Sequence, residues 1–177
     1  MLFRSQPELA MLCASHNGEA MHVQAAEAML AKAGQGYKVL RCGCHVPGLY
    51  MLMDKTAPEG IYFDERHNNC SGKHAGFVAH CVQQGWSLDD YIAPDHPLQQ
   101  AIARDVAAAV GMDVQDLKMG IDGCSAPNYA MPLSKLAYGY ARLASGAQDA
   151  QFGESFAQLG EAMTAYPEMV SGTGRND

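Results

Sequence analysis

Four stretches of this chain carry apolar residues at helical spacing, and each is cut off by a helix-stopping residue. Val23, Ala26, Leu30 and Ala33 precede Gly34, and Leu98, Ile102, Val106 and Val110 precede Gly111. Leu133, Leu136, Ala137, Tyr140 and Ala144 precede Gly146, while Phe152, Phe156, Leu159 and Met163 precede Pro167. Recurrence every three to four residues gives each segment one apolar face to bury, and glycine or proline just past the last apolar position marks its end. Helix starts are legible too. Ser5 and Glu8 form a capping-box pattern, Asn17 is placed to cap the second helix, and Asp95-His96-Pro97 opens another. Trp86 to Tyr91 reads as a short helical turn. Strand signals are sparse, with one short strand expected within Val39–Pro47 and nothing decisive between Met51 and Phe63. The expected fold is α+β and helix-rich.

The chain has 177 residues, enough for one domain with a real core. Its net charge of −7, with no Lys/Arg cluster, argues against nucleic acid or an anionic membrane surface as partner. No apolar run approaches the roughly 18 residues of a membrane span. The N-terminus lacks signal-peptide organisation, so the six cysteines read as thiols of a reducing compartment, and a cytoplasmic location is expected.

Chemistry-bearing residues concentrate in His67-Asn68-Asn69-Cys70-Ser71-Gly72-Lys73-His74-Ala75-Gly76. A helix beginning near Ser71 places Cys70 at its N-terminus, where the macrodipole lowers a thiol pKa, with Lys73 and His74 on the same face. The second unusual stretch is Gly120-Ile121-Asp122-Gly123-Cys124-Ser125, a loop that glycine lets approach a ligand closely. Cys70, His74 and Cys124 form an ordinary zinc donor set, or else two buried thiols and a helix histidine. Lys73 is a poor ligand on chemical grounds, because an ammonium must first lose its proton. Cys42-Gly43-Cys44-His45 has no second paired cluster, so buried small thiols account for it better than a metal knuckle does. Ser15, in the polar turn Cys13–Glu19, is either a nucleophile lacking an evident base or a turn residue. No Ser-x-x-Lys spacing occurs in the chain. Gly172-Thr173-Gly174 lacks the lysine of a phosphate loop, and Arg175 is suited to a carboxylate or to solvent.

These segments, in this order and together with Asp95-His96-Pro97, resemble the asparaginase II family of the Rhizobium-etli (thermolabile) type, from about Ser5 to the last residue. The resemblance implies hydrolysis of L-asparagine to aspartate and ammonia. It also implies a fold similar to serine β-lactamases, penicillin-binding proteins and glutaminases, with two serine–lysine pairs beside a zinc site. Carried over by motif, Ser15 is a catalytic serine, and Cys70, Lys73 and Cys124 are metal ligands. His74 and Asp122 fall at the substrate pocket, with Arg175 as a further substrate-binding residue. The family's Ser-x-x-Lys belongs upstream of Ser15, and the lysine paired with Ser15 belongs beyond the glycine-rich loop. Residues 1–177 are therefore expected to be a single incomplete domain with part of the fold, impaired in turnover, with apolar helix faces uncovered. The alternatives are a non-catalytic zinc-binding domain or a truncated gene product. In the full-length form a homodimer is expected.

Overall fold

The computed structural model describes residues 3, 5–51 and 55–175. Eight helices and one two-stranded sheet make up the regular structure of the described residues, apart from short 3-10 turns. The helices are α1 (Gln6–Leu12), α2 (Ala20–Lys32), α3 (Gly48–Met51), α4 (Ser71–Gln84), α5 (Pro97–Val110), α6 (Leu133–Ser145), α7 (Gly153–Ala165) and α8 (Pro167–Val170). Strands β1 (Lys118–Ile121) and β2 (Pro127–Ala130) pair antiparallel, Lys118 opposite Ala130 and Ile121 opposite Pro127. The helix-rich α+β expectation holds.

Local signals explain most element ends. The Ser5 N–H donates to Glu8 Oε2 at 3.4 Å as part of the capping box of α1, and the Ser5 hydroxyl donates to the same oxygen at 2.7 Å. Gly85 and Gly111 end α4 and α5 in the left-handed conformation that glycine adopts without a Cβ clash. His96 caps α5 by accepting the Leu98 N–H on Nδ1. Three expectations fail. Glu19, not Asn17, is the N-cap of α2, and its own N–H donates to His22 Nδ1. Val39–Pro47 forms no strand, because its polar backbone groups find side chains rather than a neighbouring strand. Tyr91 Oη accepts the Arg41 N–H, and Asn68 Nδ2 donates to the Cys42 carbonyl. Trp86–Tyr91 is a run of turns and irregular backbone.

The main core joins α1, α2, α4 and α7 around Met11, Met29, Leu30, Val78, Tyr91 and Ala162. A smaller cluster of Ala107, Val110 and Leu117 lies under α5 and the sheet. Helix α6 buries no residue completely. Leu133 is 79% exposed and Tyr140 63%, so an apolar helix face is indeed uncovered there. Helices α1 and α4 meet at glycines, and this close approach sets the start of α4 beside the turn that carries Ser15.

Candidate functional site

Asn68 builds the start of α4. Its Oδ1 accepts the Cys70 N–H at 2.8 Å and its backbone carbonyl accepts the Ser71 N–H, so Cys70 is pinned at the N-cap. The β1–β2 turn supplies the other half of the site. Asp122 N–H donates to the Ala126 carbonyl, Ser125 N–H donates back to Asp122, and Ser125 takes a left-handed φ of 68°. That tight hairpin end brings Asp122 and Cys124 to Cys70. One carboxylate oxygen and the two sulfurs lie within 4.8 Å of one another. Lys73 Nζ donates to Cys124 Sγ at 3.3 Å and stands 3.8 Å from Asp122 Oδ2.

One proton is unevenly shared by the two sulfurs. The hydrogen bond from Cys70 holds Cys124 far below the ordinary thiol range, helped by His74, the Ala126 backbone and Lys73. Cys70, as the donor and buried, is pushed well up. Burial works against the Lys73 ammonium, but Cys70, Cys124 and Asp122 outweigh it and raise its pKa. Cys124 Sγ lies 3.2 Å from Asp122 Oδ2, and Lys73 Nζ reaches both groups. Two sulfurs on a tetrahedral zinc are separated by about 3.8 Å, from Zn–S bonds of about 2.3 Å. The observed cluster admits that spacing, so its donor set fits such an ion.

His74 is completely buried. Tyr91 Oη accepts the Arg41 N–H, so its own proton is free to be donated to His74 Nδ1, 2.8 Å away. The ring proton then sits on Nε2, which has no oxygen or nitrogen partner among the described residues and faces Cys124. Tyr91 carries no sequence signal for this role. Its contacts reach back 17 residues to His74 and 50 to Arg41. Tyr91→Phe is expected to leave both partners unsatisfied and to lower stability by about 1–3 kcal/mol. A urea midpoint unchanged from wild type would refute this.

Ser15 lies in the turn between α1 and α2. Its N–H donates to the Val170 carbonyl, and the Asn17 N–H donates to the Ser171 carbonyl at 2.8 Å. The loop that follows α8 closes over the turn. Thr173 donates to Glu19 through both its backbone N–H and its hydroxyl, at 2.8 Å each. Arg175 Nη1 donates to the Ser15 carbonyl and to Asn17 Oδ1. Gly172 has a φ of 130°, and a Cβ there would meet the Asn17 and Glu19 side chains at 2.5 and 2.6 Å, so the closure requires glycine. Ser15 is exposed, and its hydroxyl meets the Asn69 carboxamide at 2.9 Å. No basic side chain is hydrogen-bonded to it among the described residues. Behind it, His16 Nδ1 accepts the Gly18 N–H, so Nε2 carries the proton and donates to Ser71 Oγ at 3.0 Å.

The structure thus brings Cys70, Lys73, His74, Asp122 and Cys124 into one cluster, and Ser15 and Arg175 into one turn. The His16 N–H to Asn69 carbonyl bond ties the two together, next to Cys70. Comparison with curated proteins finds no match. The sequence profile of the L-asparaginase II family matches residues 2–177, thus taking in the whole chain. Ser15, Arg175 and every member of the sulfur cluster fall inside that match, and the chain belongs to the L-asparaginase II family.

Proposed function

We propose that this protein is an amidohydrolase acting on L-asparagine. The observation that carries the reading is the placement of Arg175 against the Ser15 turn, with the Cys70–Asp122–Cys124 cluster on the adjoining turn. The guanidinium suits the substrate α-carboxylate, and Asp122 suits its α-amine. The Ser15 hydroxyl attacks the side-chain amide carbon, the C–N bond breaks, and the hydroxyl proton leaves with ammonia. Water then cleaves the resulting ester, releasing aspartate and restoring the hydroxyl. The zinc ligands in this reading are Cys70, Lys73 and Cys124, with Asp122 close enough to join them. When bound, zinc supplies a fixed positive charge in place of the Lys73 ammonium. The fold relation to serine β-lactamases, penicillin-binding proteins and glutaminases belongs to the same reading.

Because no base reaches Ser15 among the described residues, turnover is expected to be slow. General-base assistance is worth roughly 10²–10⁴-fold. The test is ammonia release from L-asparagine by the folded protein, with asparagine binding followed by calorimetry. Slow, saturable release supports the proposal. A folded protein that neither binds nor releases overturns it.

The cluster also supports a second reading, a zinc-binding domain without amidase activity. One zinc per chain and no ammonia would favour it. In both readings Cys70→Ala and Cys124→Ala are each expected to lose the metal, measured by elemental analysis after dialysis. Full zinc retention by both variants would remove the ion from this cluster.

A further inference from the structure

We propose that His45 is a positioning residue for Ser15 and acts through the Asn69 carboxamide. The inference rests on the reading of Ser15 as the working hydroxyl. Three contacts surround the His45 ring. Nδ1 lies 2.7 Å from the Val46 carbonyl oxygen, Nε2 lies 3.3 Å from the Asn69 backbone nitrogen, and Nε2 lies 3.0 Å from Asn69 Oδ1. The first two partners are backbone groups with fixed roles. A carbonyl can only accept, so Nδ1 carries a proton. An amide N–H can only donate, so Nε2 is bare. The backbone therefore selects one neutral tautomer.

That tautomer decides the third contact. A bare Nε2 facing the carboxamide oxygen would put two lone pairs together at 3.0 Å. The oxygen and nitrogen of a carboxamide are distinguished only by their hydrogen-bond partners. In this placement Asn69 Nδ2 faces Ser15 Oγ at 2.9 Å; with the amide turned, the NH2 donates to His45 Nε2 and the oxygen takes the position beside Ser15. The Ser15 hydroxyl then donates its proton to Asn69 and presents its lone pairs elsewhere. The Ser15 backbone is already fixed by Val170 and Arg175, so the hydroxyl rotor is the remaining freedom. His45 sets it through one intervening residue, Asn69. The histidine of the Cys42–His45 run thus has a use that needs no metal.

The experiment uses the full chain, nitrogen-15 labelled, with His45→Leu, His45→Gln and Ser15→Ala variants. In wild type the imidazole spectrum should show a protonated Nδ1 and a bare Nε2. The Asn69 NH2 resonances should move in His45→Leu and hold in Ser15→Ala. A bare Nδ1, or NH2 resonances that follow Ser15→Ala instead, overturns the assignment, and neither readout depends on activity. Where wild type releases ammonia from L-asparagine, His45→Leu should lower kcat by up to about a hundredfold with KM nearly unchanged. His45→Gln, which keeps one donor and one acceptor, should recover most of that loss. Equal rates for the leucine and glutamine variants would overturn the positioning role. A wild type without ammonia release, but with the expected spectra, would overturn the hydrolase reading and leave the His45–Asn69–Ser15 arrangement standing.

Discussion

Gly72→Ala is expected to destabilise the protein by about 3 kcal/mol or more, against a gain of about 1 kcal/mol from alanine's better helix propensity. The added Cβ would lie 2.2 Å from the Met11 carbonyl oxygen, 2.7 Å from Met11 Cγ and 3.0 Å from the Met11 carbonyl carbon. Two of these atoms are backbone, so no rotamer change relieves the contact. Helix α1 must move off α4, and Met11, completely buried in the main core, moves with it. A domain with a total stability of about 5–15 kcal/mol loses a large share to such a shift. The displacement also reaches the site, because Gly72 sits between Ser71, which holds His16, and Lys73, which holds Cys124. The measurement is the urea midpoint together with zinc content. A midpoint equal to wild type would show that the two helices separate freely. Gly160→Ala is the control, since nothing lies within 4 Å of a Cβ built there and the helix gains alanine's propensity.

What the sequence disclosed was local. The Ser5–Glu8 box, the stop at Gly111 and the start of α5 before Pro97 all depend on residues within four positions of each other. The site followed only partly. Cys70, Lys73 and His74 share one helix turn, so their proximity was visible from spacing. Their meeting with Cys124 depends on a hairpin that spacing did not reveal, because β1 is a four-residue strand containing glycine, with no alternation of burial. Val39–Pro47 misled for the opposite reason. Its residues suit a strand, but no strand among the described residues pairs with it, and Tyr91 and Asn68 answer its backbone instead. Asn69 stood inside the most prominent motif and still went unrecognised. A carboxamide acquires a role only from the partners that the fold puts on either side of it, here His45 and Ser15.

Lowering the pH from 6.5 to about 5 is expected to cost the metal-free protein about 2 kcal/mol of stability, through His16. Its pKa is lowered from 6.5 to about 3, first by burial and then by the charges that His22, His45 and His67 would carry. The unfolded chain thus binds a proton near pH 6.5 that the folded chain refuses until about pH 3. The unfolded state holds more protons throughout that window, so stability falls as pH falls, by about 1.4 kcal/mol per pH unit for one group. Over the whole window the loss reaches about 5 kcal/mol. His22 is stacked on His16 with ring centroids 4.4 Å apart, and burial lowers its pKa too, which acts in the same direction. Below about pH 5 the carboxylates Glu8, Glu19 and Asp64, whose folded pKa values are also lowered, add their own acid sensitivity. Cys124, held below the ordinary thiol range in the folded protein, adds a slope of the same sign, so the share of His16 is read from the variant rather than from the total. Urea unfolding at pH 7.0, 6.0 and 5.0 with chelator present measures the slope, and His16→Gln should flatten it by about one proton. An equal slope in the variant would place the acid sensitivity elsewhere. Protonation at Nδ1 would also break the bond from the Gly18 N–H, and that bond shapes the turn holding Ser15 and Asn17. The same proton that unfolds the protein thus first loosens the turn on which Arg175 closes.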